Sequence, residues 1–470
     1  MVGGLTLLLY VGCALALPLV PRNVYVPLLD LGKMTQTVGA GWAIYPAVVG
    51  VLFALYGAGY GLVATDRGPS LRTIFVLGAL FCAPLILTYP ASAVDVFGYV
   101  AQGRLLAVHG ANPFSDAPNR FATDPIIPYL AFPGEPSQYG PLWAALGGAI
   151  ALLAQGDLLA EVLAYKGVAV AAHLAGAGLI YRLAGCMDAD PARARASSYL
   201  FLWNPTLLWE MAANAHNDGV MMLGGIGAAH LLASGRGLWA LPVLALGALV
   251  KLPVIAVTPM IGLALWRASR TRAVRSGLLA AAMMVVAYAP FWQGPATLTA
   301  LGRSDLFTVS AGELLRLLLL RVVDERMASQ IAHAASIGAF LGAMLLASAL
   351  VLLRPYARVA VRAGYAAMLA AALFGTTWFQ AWYIVWPFGF AAGLGERRHH
   401  LEVALLSLGG LLQYWVFIFL WFRIFPPGDN ALVQVAAYAV VIVPLLLAFA
   451  LAERGPSPPS ARRIQPSGAG

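Results

Sequence analysis

The chain has 470 residues, of which 61% are hydrophobic and only 10% charged, against roughly 25% charged and 45–50% apolar usage in soluble globular proteins. This balance excludes a soluble body and requires a polytopic membrane protein. The formal charge of +9 would otherwise suggest an acidic or nucleic-acid partner, but the basic residues fall in short loops between apolar stretches, where they act as an orientation signal.

Taken in chain order, the apolar stretches predict spans over 4–20, 41–63, 73–90, 160–183, 197–213, 218–233, 237–250, 254–266, 276–292, 331–353, 360–377, 379–394, 401–421 and 431–452. The expected fold is all-α, an integral membrane protein with about 13–15 transmembrane helices. Leu5 to Val20 is as short as a signal sequence but lacks a basic leader, so it reads as a retained helix. Pro141 to Gln155 is apolar yet short and reads as an interfacial or re-entrant hairpin. With that choice Arg67, Arg72, Arg193, Arg195, Arg267, Arg270, Arg272, Arg275, Arg354, Arg358, Arg362, Arg397 and Arg398 all fall on the cytoplasmic side, as do both termini. The chain divides into N-terminal helices over 1–90, an extracytoplasmic loop over 91–158, a bundle over 159–452 with a second loop near 294–330, and a Pro/Ser-rich disordered tail over 453–470. Cys13, Cys82 and Cys186 form neither a disulfide framework nor a metal site.

The first large loop, reading SAVDVFGYVAQGRLLAVHGANPFSDAP and ending in QYGPLW, carries the most chemistry. Asp95 opens it at the end of an apolar stretch, where a carboxylate is costly without water, a partner or a substrate. Asp95 to His109 suits an amphipathic helix resting on the bilayer surface, with Asp95, Tyr99 and Gln102 on one face and Phe97, Ala101, Leu105 and Val108 on the other. Arg104 lies on the opposite face from Asp95 and is free to reach a lipid phosphate. The bland alternative is that Asp95 caps the helix, for which Asp is well suited.

A second polar group, Asn214 to Asp218 (NAHND), falls on the same side as Asp95. One His and one Asp are a weak metal signal, and a capped helix–helix turn is the alternative. Lys251, in LVKLP, also lies near the outer surface and needs an anionic partner, which a lipid phosphate supplies. The loop over 294–330 brings Arg303 among several charges. Trp378, Gln380, Trp382 and Tyr383, in TTWFQAWYIVWP, form either an interfacial aromatic belt or the lining of a sugar or lipid site.

DVFGYVAQGRLLAVHGANPF, QYGPLW, NPTLLWEMAANAHND and LALGALVKLPVIAVTP, in this order, resemble the GT-C superfamily of membrane glycosyltransferases. The similarity is greatest to the bacterial polyprenyl-phosphomannose-dependent α-1,6-mannosyltransferases. The resemblance implies inverting transfer of a sugar, mannose in that family, from a polyprenyl-phosphate carrier to a glycan or glycolipid acceptor on the extracytoplasmic face of the bacterial plasma membrane. It makes Asp95 the general base and Arg104, Lys251 and Arg303 candidates for the donor phosphate. Tyr99, Gln102, Asn112, Tyr139, Trp143, Asn214, His216, Asn217, Asp218, Trp378, Gln380, Trp382 and Tyr383 are the substrate-binding candidates. No cofactor beyond the lipid-linked donor is implied, and no metal ligand is assigned. Arabinofuranose or glucose are alternative sugars, and the family's catalytic loop usually follows the first helix, whereas here it follows the third. The competing class is a transporter or flippase, which would place such groups near the midplane and often show internal repeats. No repeat is visible here.

Overall fold

The computed structural model describes residues 1–35, 40–65, 67–188, 190–299, 306–420 and 430–452. Among these the architecture is helical, with only two isolated bridges, Pro18 to Thr88 and Thr308 to Trp378, in place of any sheet. Arg303 and the tail over 453–470 lie outside the described residues.

Among the described residues six helices are long and apolar enough to cross a membrane: Gly41–Ala64, Leu158–Met187, Arg270–Phe291, Glu325–Leu353, Arg397–Leu420 and Ala431–Leu451. Shorter apolar helices make up the rest, among them Val2–Ala16, Leu71–Ile86, Pro141–Ala154, Asp218–Ala233, Gly237–Ala248, Leu252–Ala268 and Ala381–Leu394. Several predicted spans are therefore broken or short. The stretch predicted over 197–213 is a helix Pro191–Leu202, a corner at Asn204, one turn Pro205–Leu208 and a π-helical segment Trp209–Ala213. Asn204 makes the corner by accepting the Thr206 and Leu207 amides at 3.1 Å while its amide donates to Ser407 Oγ at 2.8 Å. A Pro at the first helical position restarts the helix.

Pro141–Ala154 has 14 residues, about 21 Å at 1.5 Å per residue and short of a hydrocarbon core about 30 Å thick. It turns at Gln155 and Gly156, both at positive φ, into Leu158–Met187, whose N-terminus Asp157 caps through the Leu159 and Ala160 amides at 2.9 and 3.2 Å. Against it packs the helix Asp95–Ala107. Gly103 and Gly147 meet so closely that a Cβ on Gly103 would strike the Gly147 carbonyl. The apolar face expected to rest on a bilayer surface packs largely on protein instead: Phe97, Ala101 and Leu105 are buried, as are Val96, Tyr99, Val100 and Arg104.

The bundle has two chemically distinct ends. Leu158–Met187, about 45 Å long for 30 residues, begins beside Arg104, which donates to the Gly156 carbonyl at 3.2 Å. It ends where Arg358 donates to the Met187 carbonyl and pairs with Glu396 at 3.0 Å. Arg362 pairs with the same Glu396 at 2.6 Å and Arg398 with Glu402 at 2.9 Å. The basic loops thus gather at one end. Asp95, His216, Asp218 and Lys251 gather at the other.

Candidate functional site

The site is built from three segments. Asp95 is the first residue of its helix; the residue before it, Val94, holds the N-cap position with no side-chain cap bond. Asp95 thus stands not at the N-cap but in the first turn, where a carboxylate still favours the N-terminal end of the helix dipole. The carboxylate lies 3.7 Å from His216 Nε2 with its side chain 31% exposed, and it lines a cavity of about 790 Å3.

The second segment is the turn Asn214 to Asp218. His216 is fully buried and stacks on Trp382 with ring centroids 4.1 Å apart. Its Nδ1 meets the Glu210 carboxylate at 3.0 Å. Glu210 is held in turn by Asn214 Nδ2 at 2.8 Å and the Tyr414 hydroxyl at 3.0 Å. Ser92 Oγ accepts from both Trp209 Nε1 and Asn214 Nδ2 at 2.8 Å, tying this turn to the approach to Asp95. Burial pushes the His216 imidazole down, but Asp95 and Glu210 on its two sides outweigh this and bring it up to about 9. Burial likewise raises Asp95, and the pairing with His216 and the field of Lys251 hold its carboxyl below the usual carboxylate range. At neutral pH the pair is carboxylate and imidazolium.

The third segment places Lys251 at the break between Gly237–Ala248 and Leu252–Ala268. Its ammonium pairs with Asp218 at 2.9 and 3.0 Å and lies 5.4 to 5.8 Å from the ring centroids of Tyr139, Tyr383 and Trp386. Asp218 accepts a further bond from Trp386 Nε1 at 2.5 Å. Tyr139 is brought in because Gly140 N and Leu142 N donate to the Val250 and Leu249 carbonyls at 2.9 and 3.0 Å. A methyl on Gly140 would strike the Leu249 carbonyl. Gly140→Ala is expected to lower thermal stability in detergent by about 1–3 kcal/mol, the usual range for overpacking, and to loosen Tyr139 from Lys251; unchanged melting would contradict this.

Asp95, Gln102, Tyr139, Lys251, Trp378, Gln380, Trp382 and Tyr383 line the cavity, so the structure brings together residues more than 280 positions apart. Tyr99 and Trp143 do not line it. They pack at 5.2 Å in an aromatic cluster with Tyr139 and Tyr165 that backs the wall, and Gly98 takes the cavity-facing position on the helix instead. His216, Asn214 and Asn217 are fully buried behind the lining, and Asp218 reaches the cavity through Lys251. Asn112 ties its loop to the Phe291 carbonyl at 2.8 Å, which makes it a loop fastener rather than a cavity residue.

Arg104 requires the clearest correction. It was expected to reach a lipid phosphate, but its guanidinium is buried against Glu161 at 2.6 Å and Asp124 at 3.2 Å, away from the cavity. The helical phase that turns it from Asp95 turns it into the protein.

Glu210 and His333 are among the cavity and relay residues that carried no flag in the sequence. Glu210 sits in an apolar stretch, which is a signal in itself, but at 3.6 residues per turn it shares no face with His216, and the π-helical segment and the turn after it bring the two together. His333, on Glu325–Leu353, lines the cavity; nothing near it in sequence hints at this. Among the described residues no three His, Cys, Asp or Glu side chains are grouped as metal ligands. The wall that carries Trp378 is pinned from the far end of the chain: Phe379 N donates to the Thr308 carbonyl at 3.1 Å, and Gln434 Oε1 accepts from Val309 N at 2.7 Å.

Comparison with known proteins fits these elements into a family. The family model described as alpha-(1->6)-mannopyranosyltransferase, N-terminal domain, matches residues 1–267. Alpha-(1->6)-mannopyranosyltransferase B of Corynebacterium glutamicum is 26% identical over 208 residues, 42% of this chain and 32% of that protein. A probable alpha-(1->6)-mannopyranosyltransferase of Mycolicibacterium smegmatis is 28% identical over 208 residues, 42% of this chain and 35% of its own length. The chain thus spans about a third of the curated relatives it matches. Among solved structures, the oligosaccharyltransferase of Archaeoglobus fulgidus in its apo form aligns over 83% of this chain and 56% of its own, at a TM-score of 0.42 and 13% identity. With the family model covering more than half of its length, the chain belongs to the alpha-(1->6)-mannopyranosyltransferase family.

Proposed function

We propose that this protein is a GT-C glycosyltransferase of the bacterial plasma membrane that moves a mannosyl residue from a polyprenyl phosphate to a glycan or glycolipid acceptor, at the extracytoplasmic face and with inversion. In this reading Asp95 takes the proton of an acceptor hydroxyl as that oxygen bonds to the anomeric carbon. The bond from that carbon to the phosphate oxygen breaks, and its electron pair leaves with the polyprenyl phosphate. Lys251 meets the charge that gathers on the phosphate. An ammonium has three donors, and those engaged by the two Asp218 oxygens leave one for the donor.

One observation carries the reading. A single cavity joins the Asp95 carboxylate and the Lys251 ammonium to an apolar flank formed by Phe340, Leu341, Met344 and Leu345 of the helix Glu325–Leu353. Leu341 and Leu345 are 53% and 72% exposed on that flank. A donor with a charged head and a long hydrocarbon tail has both needs met in one place, whereas a nucleotide sugar would leave the flank without a use.

The reading is tested in membranes containing the protein, offered radiolabelled polyprenyl-phosphate mannose or GDP-mannose with a mannan-type lipid acceptor. Transfer from the lipid donor alone is expected. Equal transfer from GDP-mannose, or none from any lipid-linked sugar, would overturn it. Lys251→Gln combined with Asp218→Asn, which avoids stranding a buried carboxylate, is expected to raise the KM for the lipid donor about ten- to a hundredfold, the value of one charge-assisted hydrogen bond of roughly 1.5–3 kcal/mol.

A further inference from the structure

His216 is too deeply buried to be the sugar-binding residue that its motif suggested. It has no exposed surface, and Trp382, which lines the cavity, stacks on its ring. Each of its two nitrogens nonetheless faces a carboxylate. Nδ1 is 3.0 Å from Glu210 Oε2. Nε2 has no hydrogen-bond partner among the described residues and stands 3.7 Å from Asp95 Oδ2. That separation is an ion pair and not yet a hydrogen bond, a spacing common in unliganded sites whose catalytic bonds tighten when substrate binds.

We propose, building on the reading of Asp95 as the base, that His216 is a positioning residue: charged and backed by Glu210, it holds one oxygen of the Asp95 carboxylate so that the other receives the acceptor proton. The order is Asp95, His216, Glu210, then the Tyr414 hydroxyl, which donates to Glu210 Oε1 at 3.0 Å. Asn214 fixes Glu210 from the same turn. His216 carries its proton before and after transfer, so it neither gains nor loses one in the reaction. The acceptor proton resides on Asp95 until it passes to the released phosphate or to water in the cavity. The stacked Trp382 favours a charged ring through its π face. The groups facing the imidazole are thus Asp95 from its helix, Glu210 from the π segment and Trp382 from the 381–394 element. The Asp218–Lys251 pair and Tyr414 form the next layer.

The arrangement has a consequence for pH that a packing role lacks. His216 beside Asp95 favours the ionised carboxylate, so the wild-type acid limb is expected below the usual carboxylate range. The alkaline limb is expected where His216 loses its proton, at about 9. His216→Gln removes the cation, and the acid limb of kcat/KM is expected to move to higher pH, with transfer at neutral pH down about 10- to 100-fold. Glu210→Gln removes one of the two carboxylates that keep the ring charged, so the alkaline limb is expected to move below 9. Because Glu210 acts through His216, the double variant should be no slower than His216→Gln alone.

The experiment measures transfer from polyprenyl-phosphate mannose across pH for wild type, both single variants and the double, on protein whose melting in detergent has been checked. Glu210→Gln gives an independent reading if His216→Gln does not fold. Unmoved limbs, or losses that multiply in the double variant, would overturn the positioning role while leaving the base in place. Full transfer by Asp95→Asn would instead overturn the base itself.

Discussion

Asp95→Asn is expected to lower the rate of sugar transfer by about 10²- to 10⁴-fold, the usual contribution of a positioned general base, with little change in the KM for the lipid donor. The substitution keeps the shape of the side chain and removes only its ability to take a proton. It also separates the two readings open for this residue. Asn caps a helix as well as Asp does, so a capping role predicts a silent change. In the structure the N-cap position belongs to Val94, and Asp95 stands in the first turn. Losing the carboxylate leaves His216 with Glu210 as its one close anionic partner, a milder electrostatic change than stranding a buried ion. Melting in detergent should therefore move little while turnover collapses. Turnover within threefold of wild type in a folded variant would remove Asp95 from the chemistry.

Arg104→Met is expected to act in the opposite sense, on stability first. Glu161 and Asp124 are 1% and 7% exposed at their side chains and share this guanidinium. Asp124 is further bonded to His109 at 2.8 Å and to the Ile126 amide at 3.0 Å. Removing one partner from a buried ionic group costs about 3–5 kcal/mol, because the others keep their charge without compensation. The clamp joins the helix Asp95–Ala107, the loop around Asp124 and the start of Leu158–Met187. Its loss should free the hairpin that carries Asp95. Adding Glu161→Leu to the variant should restore part of the loss by removing the stranded carboxylate. A phosphate-binding role predicts the reverse pattern: an unchanged melting temperature, a raised KM for donor and no rescue by the second substitution.

The broad architecture was legible because hydropathy reports directly on burial in lipid, and because basic loops betray one end of the bundle. Asp95, Lys251 and the NAHND turn were legible as charges that an apolar setting makes expensive. What could not be read was who pays each of them back. The partner of Lys251 proved to be Asp218, 33 positions away across a helix pair, and that of Arg104 proved to be Glu161 rather than a lipid. Helical phase turned Arg104 away from Asp95 correctly but is silent about what lies on the other side. Glu210 could not be paired with His216 because regular helical spacing puts them on different faces and only the π-helical segment and the turn after it join them, and Tyr414 lies 204 positions from it. The short pieces 237–250 and 254–266 were counted as spans because composition measures apolarity, whereas the break at Lys251 depends on the charge it must present.

The fastening of the Trp378 wall also bears on how the molecule is made. Asp95, His216 and Lys251 all belong to the first 251 residues, whereas Trp378, Trp382 and Tyr414 follow much later, and the strand-like pairing at Thr308 is held by Gln434 of the helix Asn430–Ala452. Domains assemble from the N-terminus during synthesis. A ribosome therefore delivers these charges before the segments that cover them, so the cavity around Asp95 and Lys251 closes only after the chain has passed Trp382.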